Sequence, residues 1–242
     1  MKENEIIIGY HAAVAVLKNP HRKINSIKCT KEFFKKNKEL IEMKKISNFK
    51  IVNRKEIDLE FKNNFHQGVI INCDILDNHD LSSIKTDEKN ILILDSLNDS
   101  QNVGAIVRSA YLFGVKTIIY NKDNSFDINP FLIKASSGAY EKMKLIEVIN
   151  INRAIEYLKK MGYWIVGLDI NSNNNLNLVP DDLKKVLIFG SEDKGIRQLV
   201  LKKCDFRAKI NTPNKENFIN SLNVSNSVAI VLYEYTKKWR LR

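Results

Sequence analysis

The sequence predicts an α/β protein in two parts: a C-terminal domain built on a parallel sheet, and a smaller N-terminal α/β module. Three observations lead there. From Asn90 onward, short continuous apolar runs alternate strictly with segments of helical period, as strands buried on both faces of a helix-covered sheet must. The first 73 residues repeat that alternation on a smaller scale. Between the two, residues 74–89 turn polar and carry Asp74, Asp77, Asp80, Asp87 and Glu88, which reads as a linker. The expected division is therefore 1–73, 74–89 and 90–242.

In the first part, Tyr10, Ala13, Val14 and Leu17 share one helical face. Residues 24–29 read as a strand. Residues 32–46 read as a lysine-rich helix that buries Phe33, Leu40 and Met43. Residues 49–52 and 69–73 read as short strands, the latter opening after Gly68. In the second part, residues 91–94 form an apolar strand ending in Asp95, followed by a helix over 103–113 and a strand over 117–120. A turn region at 134–139 leads to a strand at 145–149 and a helix at 152–161. Strands at 164–168 and 186–189, a helix at 196–203 and a strand at 206–210 follow. A long helix over 221–238 closes the chain. Its Val228, Ile230, Val231, Leu232, Tyr233 and Trp239 suit a core, or a core and an interface together.

Bulk properties narrow the partners. The net charge is +11 with a pI near 9.4, which favours a polyanion, because each Lys or Arg meeting a phosphate releases a counterion. Many basic proteins bind nothing of the kind, so placement matters more. Residues 1–72 hold 15 basic against 8 acidic groups, a denser surplus than in the remainder, which marks the first part as the one to grip a phosphate backbone. Cys29, Cys73 and Cys204 are far apart and odd in number. Buried reduced thiols are expected, with neither a disulfide framework nor a metal site. No apolar leader opens the sequence and no run of eighteen apolar residues occurs, so a soluble cytoplasmic protein without a membrane partner is expected.

Three segments at strand ends carry unusual polar content. The first runs from Leu94 to Ala110. Within it, Asn102 can cap a helix, Gly104 permits close approach, and Arg108 lies on the helix edge, where an arginine is ordinarily solvated. The second is Leu187-Ile188-Phe189-Gly190-Ser191-Glu192-Asp193-Lys194-Gly195-Ile196. A glycine-bounded turn there either lays backbone N–H groups against a ligand or is an ordinary tight connection. It fits neither the dinucleotide fingerprint nor the P-loop, since Ile196 stands where a P-loop needs Lys. The third is Ser221-Leu222-Asn223-Val224-Ser225-Asn226, in which Ser221 can cap the final helix and Asn223 can be a polar first-turn residue.

Taken together and in this order, Asn-x-Gly-Ala-Ile-x-Arg-Ser-Ala, Phe-Gly-Ser-Glu-x-x-Gly and Ser-Leu-Asn-Val-Ser resemble the three motifs of the SpoU family of RNA ribose 2′-O-methyltransferases, of the SPOUT class. The resemblance spans roughly residues 91–236. Gly9-Tyr10-His11-Ala12-Ala13 and His66-Gln67-Gly68-Val69 resemble the L30e-like substrate-binding domain attached to many members. As residues alone, His11 and His66 are equally core or turn histidines.

The resemblance implies a parallel sheet tied into a deep trefoil knot, with S-adenosylmethionine held by knot loops through Gly190, Ile210 and Leu222. It implies that Arg108 is the central catalytic residue, with Asn102, Glu192, Ser221 and Asn223 organising the site: Asn102 and Asn223 orient Arg108 or the ribose, and Glu192 is a partner of Arg108 or of RNA. Two roles stay open for Arg108. It anchors an RNA phosphate and lowers the pKa of the ribose hydroxyl, or it is itself the base. A guanidinium is rarely deprotonated in proteins, which favours the first. The resemblance also implies a homodimer whose site is completed across the interface. The target that the resemblance implies is a guanosine in the peptidyl-transferase P loop of 23S ribosomal RNA; a tRNA guanosine, or RNA binding without turnover, are the alternatives. Two departures stand out. Ser100 follows Asp99 where many members have Pro. After Ile210, the Asn211-Thr212-Pro213 segment and the residues to Ser221 lengthen the third motif, which bears on the role of Ile210.

Overall fold

The computed structural model describes residues 4–61, 65–180, 182–213 and 221–236. In chain order its elements are β1 (Asn4–Ile8), α1 (Tyr10–Lys18), β2 (Ile24–Cys29), α2 (Lys31–Met43), β3 (Asn48–Ile51), α3 (Arg54–Glu60), β4 (Val69–Asp74), β5 (Asn90–Asp95), α4 (Ser100–Leu112), β6 (Thr117–Asn121), α5 (Pro130–Ala135), β7 (Lys144–Val148), α6 (Ile151–Lys160), β8 (Trp164–Leu168), β9 (Lys185–Gly190), α7 (Gln198–Leu201), β10 (Phe206–Ala208) and α8 (Val224–Thr236). They fall into two compact units. One comprises Met1–Asp77 and Ile128–Lys142; the other comprises Asn78–Asp127 and Met143–Arg242. Trp239 and the end of the expected final helix, and most of the lengthened third-motif segment, lie outside the described residues.

The first unit is built on a four-stranded sheet in the order β1-β4-β2-β3. Strand β4 runs antiparallel to β1 and β2, and β2 runs parallel to β3. Ile7, Ile8, Ile27, Val69 and Ile71 fill its core at zero exposure. Helix α2 buries Phe33, Asn37 and Ile41, an i, i+4, i+8 stripe, and not the expected Leu40 and Met43. Met43 is 77% exposed. Asn37 departs from helical geometry and donates its side-chain N–H to the Phe33 carbonyl at 2.9 Å, which turns the last turn's side chains.

Residues 128–142 join this unit although they lie between β6 and β7 in the chain. Arg22 holds them there. Its guanidinium, 4% exposed, pairs with Glu5 and, at 3.2 Å, with Glu141, and donates to the Asp74 carbonyl at 2.6 Å. Tyr140 donates to Glu5 at 2.6 Å and Asn19 to Glu141 at 2.8 Å. A buried cation is tolerable only with such partners.

The second unit is a six-stranded sheet in the order β10-β8-β9-β5-β6-β7, parallel throughout, as the sequence predicts. Ile91 and Ile93 of β5 and Val186 and Ile188 of β9 pack with Ile151, Ala154, Ile155 and Leu158 of α6 and Val200 and Leu201 of α7. Strand alternation sends Leu92 and Leu94 to the other face. There α4 and α8 pack on each other, and α8 on β9. Within the polar stretch, Glu88 is buried, accepts from Thr117 at 2.6 Å and pairs with Lys144 at 3.0 Å.

Cys29 and Cys73 are buried and Cys204 is half-buried, all as free thiols. Burial pushes the thiols up, to about 11 for Cys29 and Cys204 and about 12 for Cys73, so they stay protonated and inert at neutral pH. Among the described residues, no helix is long and apolar enough to cross a membrane, and no cluster of three or more His, Cys, Asp or Glu side chains could hold a metal.

Candidate active site

The register of the central strands sets the site. Asp95, the last residue of β5, pairs with Gly190, the last of β9. The first and second polar segments therefore leave the sheet side by side at its carboxyl edge, where ligands of such sheets bind. The packing of α8 on α4 brings the third segment beside them.

The local reason lies in two helix starts. Asp99, not Asn102, caps α4: its carboxylate accepts from the Gln101 and Asn102 N–H groups at 2.7 and 2.9 Å. An ionised cap suits the positive end of a helix, and it leaves the Asn102 side chain unused by the backbone. At the other start, Asn223, not Ser221, is the cap. Its carbonyl accepts from Ser227 N–H at 3.0 Å and its side-chain oxygen from Ser225 N–H at 2.9 Å. Ser221 is exposed and lies two residues before that cap.

Asn102, Glu192 and Asn223 meet in a hydrogen-bonded triangle. Asn223 Nδ2 donates to Asn102 Oδ1 at 2.9 Å and to Glu192 Oε1 at 3.1 Å. Asn102 Nδ2 donates to the same Glu192 oxygen at 3.2 Å, and Val224 N–H does so at 3.3 Å. The Glu192 carboxylate thus sits at the N-terminus of α8, where negative charge is favoured. Its other oxygen carries no hydrogen bond among the described residues.

The second segment is a loop closed on itself. Ser191 and Gly195 form a bridge, with Gly195 N–H donating to the Ser191 carbonyl at 2.8 Å and Gly195 at a positive φ of 63°. Gly190 has no room for a side chain: a Cβ would lie 2.0 Å from the Gly195 carbonyl carbon. The loop is pinned from below by Asp95, a contact the sequence reading missed. The Asp95 side chain is fully buried and accepts from the Arg197 backbone N–H at 2.9 Å and from its Nε at 2.7 Å, with a further ion pair at 2.6 Å. The available signal was an acidic residue ending an apolar central strand. Beside it, Ser96 adopts a positive φ of 63° and donates its N–H to Asn121 at 3.1 Å.

Arg108 is exposed on α4 and makes no hydrogen bond or ion pair among the described residues. It stands about 9 Å along the helix from Asn102 and about 120° around it, so it does not join the triangle. Leu222 is 37% exposed and adjoins Asn223. Ile210 is half-buried, two residues past β10. The stretch around it is fixed by Lys209 N–H donating to the Asn174 carbonyl at 2.9 Å.

Residues 89–233 match the SpoU rRNA Methylase family, and residues 6–78 match the RNA 2′-O ribose methyltransferase substrate-binding family. The 23S rRNA (guanosine-2′-O-)-methyltransferase RlmB of Coxiella burnetii is 32% identical over 98% of this chain and 97% of its own. The enzyme of the same name from Shewanella oneidensis is 34% identical over 99% and 100%. Among solved structures, the SpoU methyltransferase AviRb from Streptomyces viridochromogenes in complex with AdoMet superposes with a TM-score of 0.82 at 17% identity, covering 99% of this chain and 92% of that one. An AdoMet-bound rRNA methyltransferase from Sinorhizobium meliloti gives 0.81 at 18%, covering 98% and 88%. At such identities the likeness is one of fold.

Proposed function

This chain belongs to the SpoU rRNA methylase family and is an S-adenosylmethionine-dependent RNA 2′-O-methyltransferase; we propose that it methylates the ribose of a guanosine in the peptidyl-transferase P loop of 23S rRNA. The observation that carries the reading is the triangle of Asn102, Glu192 and Asn223, drawn from three strand-end segments at the carboxyl edge of one parallel sheet. In this reading residues 90–242, apart from 128–142, which pack with the first unit, perform the chemistry, 1–73 grip the RNA and 74–89 lead from one to the other. The knotted threading of the loops belongs to the same reading.

S-adenosylmethionine, when bound, supplies a methyl group already activated on a sulfonium. Gly190, Ile210 and Leu222 would hold it through main-chain groups. The chain's remaining task is to place a ribose 2′-oxygen in line and take up or relay its proton. Arg108 anchors the adjoining RNA phosphate, and its positive charge favours the ionised hydroxyl. Asn102, Asn223 and Ser221 orient the ribose, and Glu192 fixes both amides.

The protein works as a cytoplasmic homodimer. Support comes from the outer faces of α4 and α8, where Leu112 is 70% and Tyr233 50% exposed, with Tyr111 and Ile230 also uncovered. Exposed apolar side chains on two helices that pack together suit a face that a second copy covers. Mapping 2′-O-methyl groups in a strain lacking the gene tests the target. Loss of one methyl at the 23S P-loop guanosine is expected. Loss at a tRNA guanosine instead, or no loss anywhere, would overturn the assignment.

A further inference from the structure

The first unit carries a concave surface pocket of about 390 Å³ that the chemistry above leaves unused. Its walls include Tyr10, Lys31, Lys36, Arg54 and Gln67. Three cations there face one carboxylate, Glu32, and that group is already paired with Lys36 at 2.9 Å. Lys31 is exposed and carries no hydrogen bond or ion pair among the described residues. The pocket is therefore electropositive.

Its aromatic wall is held in place. The Tyr10 ring meets Phe33 edge-on, with centroids 5.6 Å apart at 73°, and His11 likewise at 5.5 Å and 88°. The rim is held under strain. Gln67 adopts a positive φ of 52°, which a side-chain-bearing residue keeps only when its surroundings enforce it. Its Oε1 accepts the Tyr10 N–H at 2.8 Å, which leaves its Nε2 to donate. Behind it, the fully buried His66 accepts the Gly68 N–H at Nδ1, at 2.9 Å. Its Nε2 accordingly carries the proton shared with Asp58 at 2.8 Å. Gly68 has φ +80°, and a Cβ there would lie 2.8 Å from Thr30 Oγ1. Cations, one fixed aromatic face and one spare amide donor are the equipment that single-stranded RNA requires: phosphates to the cations, a base on the ring, a base edge to the amide. The volume lies near the lower end of the range for small-ligand sites, which suits one extruded nucleotide.

We propose that this pocket takes a single unstacked nucleotide of the substrate RNA, its base against Tyr10 and its neighbouring phosphates against Lys31 and Arg54. The inference rests on the methyltransferase reading and names the part of the substrate that the first unit holds.

The test uses the full chain and an unmodified hairpin RNA of the 23S P loop, with affinity read by fluorescence anisotropy across a salt series. S-adenosylmethionine affinity and methyl transfer are measured alongside. Tyr10→Phe should bind as the wild type does, and Tyr10→Leu should bind about tenfold more weakly with an unchanged salt slope. Lys31→Ala should bind more weakly and lower that slope by about one. Cofactor affinity should hold in all three. Wild-type affinity in Tyr10→Leu would leave only a backbone grip, and wild-type affinity in Lys31→Ala would point to a groove for something other than RNA; either result overturns the proposal. Should circular dichroism show Tyr10→Leu unfolded, Lys31→Glu at its exposed site decides alone. A wild-type chain that binds the hairpin but transfers no methyl sinks the function and spares the pocket. Transfer by a wild type whose variants bind normally sinks the pocket alone.

Discussion

At the scale of single residues, Asn223 shows how one side chain serves two masters. Its oxygen caps α8 through Ser225 N–H, and its nitrogen ties Asn102 to Glu192. The two duties separate by substitution. In Asn223→Asp the cap survives, so the thermal midpoint should stay near the wild type. A carboxylate then faces Glu192 at hydrogen-bond distance, and methyl transfer should fall about 100-fold or more. In Asn223→Ala the cap is lost as well, at a cost of about 1 kcal/mol in unfolding free energy. Equal stability in both variants would contradict the capping role. The sequence offered Asn102 and Ser221 as caps because Asp, Asn and Ser compete for that position on similar chemistry. Choosing Asp99 and Asn223 needs the backbone course, which composition does not encode. The partners in the triangle lie 90 and 121 residues apart, so only the joint resemblance of three motifs set them side by side beforehand.

Elements were legible in proportion to their apolar period. The central strands β5, β6 and β9, with α4 and α6, followed from continuous or helical hydrophobic patterns. Strand β1, helix α3 and helix α5 did not. Helix α3 buries only Ile57, too little for a period to emerge, although its Asn53–Glu56 capping box was a readable signal. Helix α5, expected as a turn at 134–139, starts from Asn129 with Pro130 at its first position, a start signal that went unused. At the carboxyl edge of β9, the decisive feature is the closure of the loop against Gly190. Gly190→Ala would press a Cβ into the Gly195 carbonyl and force the loop open by an ångström or so. Cofactor affinity by calorimetry should fall about tenfold or more, since errors of that size in a site are costly, while far-ultraviolet circular dichroism stays unchanged. Wild-type affinity would show that the loop's closure does not shape the cofactor site.

Across the whole molecule, the order of the chain and the grouping in space diverge at residues 128–142. No local pattern announces this, because the causes are distant in sequence: the ion-pair network centred on Arg22 and the packing of α5 on β1 and α1. Removing its guanidinium leaves Glu5 and Glu141 buried against each other. Arg22→Ala should therefore cost about 3–5 kcal/mol in denaturant unfolding, whereas Arg22→Ala combined with Glu141→Gln should recover part of that loss. A single variant as stable as the wild type would mean the network is not what holds 128–142 to the first unit. The charge asymmetry, by contrast, was readable from residue counts alone, since it needs no knowledge of contacts.

In the proposed mechanism, Arg108 acts at the edge of a site assembled by the triangle. The most direct measurement is transfer of tritiated methyl from S-adenosylmethionine to unmodified 23S rRNA, by the wild type and by Arg108→Ala, with the product nucleoside identified. 2′-O-methylguanosine is expected from the wild type. From the variant, a rate lower by about 100-fold or more is expected, with RNA and cofactor affinities largely retained. Near-normal turnover by Arg108→Ala, or a methyl group found on the base, would contradict it.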